Sequence, residues 1–138
     1  MATTTLGIYL HIPFCRGKCS YCDFFSITSS SPFFAVYPTL LLKQLDQAEN
    51  DSWAGPVTSV YFGGGTPSLL TTEDVATLLT ALDKKFGLAV DVEITLEANP
   101  GTIDLAKLQG LRSAGVNRLS LGLQTLDDGQ LSCLGRRH

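Results

Sequence analysis

Val57-Thr58-Ser59-Val60-Tyr61-Phe62-Gly63-Gly64-Gly65-Thr66-Pro67 is the stretch on which the fold turns. Its first half is mostly β-branched and aromatic, the composition of a strand. It stops on a triple glycine. Thr71-Thr72-Glu73-Asp74 then resembles a capping box ahead of Val75, Leu78, Leu79, Leu82 and Phe86, which recur at helical spacing. A strand, a glycine turn and an amphipathic helix make one βα unit.

The unit recurs on both sides. Leu6 to Ile12 is a short apolar strand stopped by Pro13, and Val36 to Ala48 carries the helical stripe Leu41, Leu42, Leu45 and Ala48. Ser26 to Pro32, between them, is rich in Ser and Thr and reads as a loop. Val90 to Leu96 is a third strand. Leu105, Leu108, Leu111 and Ala114 mark a third helix, with Gly115 as its stop. Val116 to Leu123 is a fourth strand, and a last helix starts near Asp127.

The order β-α-β-α-β-α-β-α predicts an α/β fold with a parallel sheet and right-handed helical crossovers. A doubly wound sheet and part of a (β/α) barrel both fit that order. The strand ends favour the barrel. Cysteines follow the first, Gly63-Gly64-Gly65-Thr66-Pro67 the second, Glu97-Ala98-Asn99-Pro100 closes the third, and Gly122-Leu123-Gln124 closes the fourth. Barrel enzymes build their site on that whole rim, whereas a doubly wound sheet concentrates it at one switch point. The chain therefore reads as a partial (β/α) barrel of about four βα units, with Val60, Phe62, Ile94, Leu96, Leu119 and Leu121 expected on its inward face.

With 138 residues, 44% hydrophobic and 17% charged, the chain can bury a core, and disorder is excluded. A net charge of −3 implies no general surface for nucleic acid. No apolar stretch approaches the ~18 residues of a membrane span. Arg16, Lys18 and the closing pair Arg136-Arg137 are local positive spots, each by itself an ordinary solvated charge.

Three of the four cysteines fall in Cys15-Arg16-Gly17-Lys18-Cys19-Ser20-Tyr21-Cys22, a C-x3-C-x2-C spacing; Cys133 stands apart. Met1 to Thr5 has neither the basic start nor the apolar core of a signal peptide, so the thiols are expected to be reduced and the protein cytoplasmic. Three thiolates on one loop suit three irons of a [4Fe–4S] cluster, with one iron open to a non-protein ligand. A zinc site that adds His11 as fourth ligand stays open on spacing alone, as does a structural role for that histidine.

The other rim residues allow specific contacts. The triple glycine lets a ligand approach the backbone closely, though it matches neither G-x-G-x-x-G nor a P-loop, and a tight turn would use it equally. Glu97 can accept hydrogen bonds from a ribose or an ammonium group, Gln124 offers both donor and acceptor, and Arg136 can pair with a carboxylate.

Together these strings resemble a known family. Cys15, Cys19 and Cys22, with Tyr21 before the last, are similar to the radical S-adenosylmethionine (SAM) signature. Tyr9 to Cys15, Tyr61 to Leu69, Glu97 to Gly101, Asn117 to Gln124 and Leu134 to His138 resemble the oxygen-independent coproporphyrinogen III oxidase family. The resemblance implies that Cys15, Cys19 and Cys22 hold the cluster. It also implies that Tyr9, Tyr21, Gly64, Gly65, Thr66, Glu97, Gln124 and Arg136 line the SAM site. It further implies reductive cleavage of SAM to methionine and a 5′-deoxyadenosyl radical. Gly65 is expected to matter for SAM rather than for assembly of the cysteine loop.

The family has two branches. The dehydrogenase branch converts propionates of a porphyrinogen to vinyl groups and carries a fourth cysteine two residues after the third. Here that position is Phe24, which points to the heme-chaperone branch, with oxidative decarboxylation as the alternative. The implied ligands are a tetrapyrrole, heme in the chaperone branch, and the implied partner a heme-acceptor protein. The family's barrel has six strands and a C-terminal domain. The resemblance thus makes residues 1–138 the N-terminal part of a radical SAM core domain, without the rest of the barrel or the C-terminal domain.

Overall fold

The structure, a computed structural model, describes residues 5–48, 55–136 and 138. Met1 to Thr4 and Arg137 of the closing motif lie outside the described residues. Four strands, β1 (Leu6–Ile12), β4 (Val57–Gly64), β5 (Leu88–Ala98) and β6 (Arg118–Leu121), form one sheet in that order, every neighbour parallel. The order follows the chain without reversal, so these strands hold no switch point of a doubly wound sheet. This is the open α/β arc of a partial (β/α) barrel.

The helices α1 (Pro32–Gln47), α2 (Thr72–Phe86) and α3 (Leu105–Ala114) connect successive strands, and α2 packs against both others. The capping box is present at α2: Thr71 Oγ1 accepts from Asp74 N at 3.0 Å, and Asp74 Oδ2 accepts from Thr71 N at 3.1 Å. The Gly115 N–H closes α3, with the glycine in the left-handed region at φ 115°. A short α4 (Asp128–Cys133) follows β6, capped by Asp127.

Three expectations change. The helix α1 starts at Pro32 rather than Val36, because Ser31 caps it by accepting from Phe33 N and Pro32 fits the first turn. The Ser/Thr-rich stretch before it is not all loop: β3 (Ile27–Thr28) pairs in parallel with β2 (Phe14–Cys15), a two-residue ladder too short to read from alternation.

The third concerns the sheet faces. Val60, Phe62, Ile94 and Leu96 are buried against Val75, Leu78, Leu79 and Leu82 of α2, so they face the helices and not the barrel interior. Leu119 and Leu121 lie in register with Leu96 and Ala98 on that same side, yet are 41% and 48% exposed. The interior face is polar instead. Tyr9, Tyr61, Thr95 and Arg118 align across all four strands, and Arg118 pairs with Glu93 at 3.2 Å. The outer helix layer takes the apolar alternate residues, which leaves the polar ones to the concave side.

Candidate functional site

The cysteine loop is clamped at both ends. At its start, Ile27 N donates to Pro13 O at 2.7 Å and Ser29 N to Cys15 O at 2.9 Å. Within it, Cys22 N donates to Cys19 O at 3.2 Å, a turn that brings the second and third cysteines round. Between the second and third cysteines, Ser20 N donates to Leu134 O at 3.2 Å, which fastens the loop to the end of α4. Arg16 Nη1 donates to Gly101 O at 3.1 Å. Cys15, Cys19 and Cys22 are half-buried free thiols, and Cys133 is free and exposed.

The glycine turn lies directly under this loop. Gly65 N donates to Ile12 O and Thr66 N to Phe14 O, both at 2.8 Å. A Cβ on Gly65 would stand 2.6 Å from Phe14 O, 2.9 Å from Phe14 N and 3.0 Å from Cys15 Sγ. Only glycine fits there, and what it makes room for is the cysteine loop itself. The expectation that a side chain at position 65 would leave the cysteine loop able to assemble is thereby corrected. Gly64 is held differently: its φ is 116°, and a Cβ would meet the His11 ring at 2.8 Å.

Beside the loop opens a cleft of about 310 Å3 at the strand ends. Gly65, Thr66, Glu97, Gln124 and Arg136 of the expected residues line it, together with Asn99, Ser120 and Gly122. Glu97 is fixed through both oxygens: Oε1 accepts from Tyr61 Oη at 2.7 Å and Oε2 from Gly64 N at 3.2 Å. A carboxylate has about four acceptor positions, so it keeps capacity for a ligand donor. Gln124 has φ 62°, the left-handed region, and the bond from Thr125 N to Leu123 O at 2.7 Å closes a tight turn around it.

Three expected residues stand outside the cleft lining. Gly64 reaches it only through Glu97. Tyr21 is half-exposed and accepts from Arg136 Nη1 at 2.7 Å. Tyr9 lies on the concave face, 56% exposed, stacked on Tyr61 at 6.1 Å between centroids and bonded to His11 Nδ1 at 3.0 Å. That bond and the Gly64 contact give His11 a structural role. Burial first, then the Glu97 charge, raise the Tyr9 pKa; the hydrogen bond to Glu97 is the main cause that raises that of Tyr61. Both phenols are held protonated.

Asn99 is the residue that sequence reasoning passed over. Asn99-Pro100-Gly101 has the composition of a turn and forms one, since Thr102 N donates to Asn99 O at 2.9 Å. The Asn99 side chain meanwhile bridges Arg136 and Thr66. A polar residue two positions past Glu97, just beyond the strand end, was the signal. A larger cavity of about 420 Å3 between α3 and β6 is lined by Leu108, Leu111, Val116, Leu119 and neighbours, with no thiol or carboxylate.

Among the described residues, no group of three or more His, Cys, Asp and Glu side chains gathers at one point as a single ion requires. A cluster takes each thiolate on a different iron, and three free, soft donors on one clamped loop fit that demand.

The model of the radical SAM superfamily matches residues 9–138. The heme chaperone HemW of Synechocystis sp. is 40% identical over 136 residues, covering 94% of this chain and 32% of that protein. The mitochondrial radical S-adenosyl methionine domain-containing protein 1 of Mus musculus is 41% identical over 137 residues, 99% of this chain and 31% of its own length. The solved structure of coproporphyrinogen III oxidase (HemN) from Escherichia coli, described as a radical SAM enzyme, superposes with a TM-score of 0.86 at 30% identity. It covers 99% of this chain and 32% of that one. The chain thus spans about a third of the length of these relatives.

Proposed function

The chain belongs to the radical SAM superfamily, and from that premise we propose that it is the N-terminal part of a core domain that carries a [4Fe–4S] cluster and SAM and acts on heme. Cys15, Cys19 and Cys22 would hold the cluster. Thr66, Glu97, Gln124 and Arg136 would hold SAM in the cleft, with Gly65 in its lining, Gly64 behind Glu97, and Tyr9 and Tyr21 at its margins. When bound, the pair supplies one-electron reductive cleavage of a sulfonium.

The observation that carries this reading is the juxtaposition of three free thiols with a polar cleft lined by a carboxylate, Glu97, and a cation, Arg136. Glu97 suits the cationic and hydroxyl parts of SAM, and the guanidinium, its N–H groups held by the protein, offers positive charge to the SAM carboxylate.

Within the superfamily the heme-chaperone role is supported by relatives of that name at about 40% identity and by Phe24. Its side chain is 71% exposed where the dehydrogenase branch carries its extra cysteine. The structural match to HemN is shared by both branches and favours neither. A tetrapyrrole and a heme-accepting protein are the partners of this reading. A reducing compartment suits four free thiols; the cytoplasm meets that need, and so does the mitochondrial matrix. No described helix is long and apolar enough to cross a membrane.

Anaerobic reconstitution with iron and sulfide, followed by reduced-state EPR with and without SAM, tests the cofactors; a cluster signal altered by SAM is expected. Stoichiometric zinc with no iron uptake would refute it. Saturable heme binding without conversion of coproporphyrinogen III to the divinyl product is expected of the longer protein. The reverse pattern would assign the dehydrogenase branch.

A further inference from the structure

The Arg136 guanidinium has five N–H donors, and the structure shows five bonds from it. Nη1 donates to Tyr21 Oη at 2.7 Å and to Cys19 Sγ at 3.7 Å. Nη2 donates to Asn99 Oδ1 at 2.6 Å and to Gly122 O at 2.7 Å, and Nε to His138 Nδ1 at 3.3 Å. The group is therefore fixed in place, with its charge against one of the cluster cysteines.

Its reach extends to a second. With Oδ1 committed to Arg136, the Asn99 amide must present Nδ2 on its other side, where it donates to Thr66 Oγ1 at 3.3 Å. Thr66 is buried, and its hydroxyl has one proton to give. Having accepted from Asn99, it donates that proton to Cys15 Sγ at 3.5 Å. The directions of all three bonds are set by the cation at one end.

We propose that Asn99 and Thr66 form a hydrogen-bond relay from Arg136 to Cys15, so that one guanidinium sets the reduction equilibrium of the cluster through two of its sulfurs, directly at Cys19 and by relay at Cys15. Among the described residues no donor is directed at Cys22 Sγ. Hydrogen bonds to cluster sulfurs stabilise the more negative, reduced form and raise the potential. Successive bonds in a chain polarise one another and strengthen the last. Asn99 is thus a positioning residue that acts through Thr66. The inference rests on the cluster assignment made above.

The test is an EPR-monitored redox titration of the cluster-loaded protein without SAM. Thr66→Val and Asn99→Ala are each expected to shift the reduction equilibrium about tenfold towards the oxidised form, about 59 mV for one electron. The double variant should shift no further than Thr66→Val alone, because both cut the same chain. Thr66→Ser, which keeps the hydroxyl, should retain the starting potential. Unchanged potentials at full cluster occupancy, additive shifts, or a Thr66→Ser shift equal to that of Thr66→Val would overturn the relay. If Asn99→Ala does not take up the cluster, the comparison of Val with Ser at position 66 decides. Failure of the unsubstituted protein to take up iron and sulfide would instead remove the cluster assignment itself.

Discussion

Tyr61 Oη donates to Glu97 Oε1 at 2.7 Å, a bond that ties β4 to β5 on the concave face and holds the carboxylate towards the cleft. This bond is the largest cause of the raised Tyr61 pKa. The folded state prefers the neutral phenol, so its contribution to stability is fully present below the ordinary tyrosine value near 10 and is lost as pH rises through the raised folded value. Denaturant unfolding between pH 7 and 11 should show stability falling above about pH 10, and the fall should be shallower in Tyr61→Phe. The same substitution should weaken SAM binding less than Glu97→Gln, which alters the acceptor itself. Equal losses would contradict the positioning role of Tyr61.

Gly65 answers to two demands at once. A methyl group there would press on the Phe14 backbone, which cannot rotate away, and on the Cys15 sulfur. Gly65→Ala is expected to cost about 1–3 kcal/mol of stability. It should also lower iron content after reconstitution, not only SAM affinity. Full cluster loading with normal stability would show that the loop yields more easily than its backbone contacts imply.

Gln124 is the one non-glycine residue with positive φ among those described. The conformation costs an L-residue about 1 kcal/mol or more relative to glycine. Gln124→Gly should therefore raise the thermal midpoint while it reduces SAM binding. A fall in both would mean that the side chain also supports the fold, beyond its place in the cleft wall.

The cysteines separate by position. Cys15→Ala, Cys19→Ala and Cys22→Ala should each abolish the reconstituted cluster, read from iron, acid-labile sulfide and the visible spectrum. Cys133→Ala should leave it intact, because that thiol sits exposed at the end of α4.

Leu119 and Leu121 lie exposed on the helix-facing side of β6, the last strand of the sheet. A parallel sheet is normally covered on both faces, and an edge strand with apolar side chains promotes association. The 138-residue chain is expected to self-associate and to bind ANS. Leu121→Lys should reduce both, measured by sedimentation velocity and dye fluorescence. Monomeric behaviour without dye binding would contradict this.

The order of strands and helices was legible in the sequence because each βα unit carries its own local signals. The apolar run of β4, the capping box at Thr71 and Asp74, and the stop at Gly115 all act over a few residues. The cysteine spacing and the strand-end residues likewise marked the rim. Two features of the fold were out of reach. The β2–β3 ladder joins residues thirteen apart through only two positions, too short for a periodic signal. Which sheet face meets the helices depends on how the layers stack, so the burial of Val60 and Leu96 was readable but its direction was not.

The site shows the same division. Sequence by itself determined which residue types stand at the strand ends, because chemistry and spacing are written locally. Tertiary structure decided what each one touches. Arg136 lies 117 positions from Cys19 and 37 from Asn99, and no local rule connects them. Only the side-by-side pairing of the strands brings the end of α4 back over the cysteine loop, turns Asn99 from a turn residue into a link to Thr66, and makes Gly65 the gap through which the loop passes. Hydrogen-bond partners are set by distance in space, and across parallel strands that distance is fixed by register and crossover, not by neighbourhood along the chain.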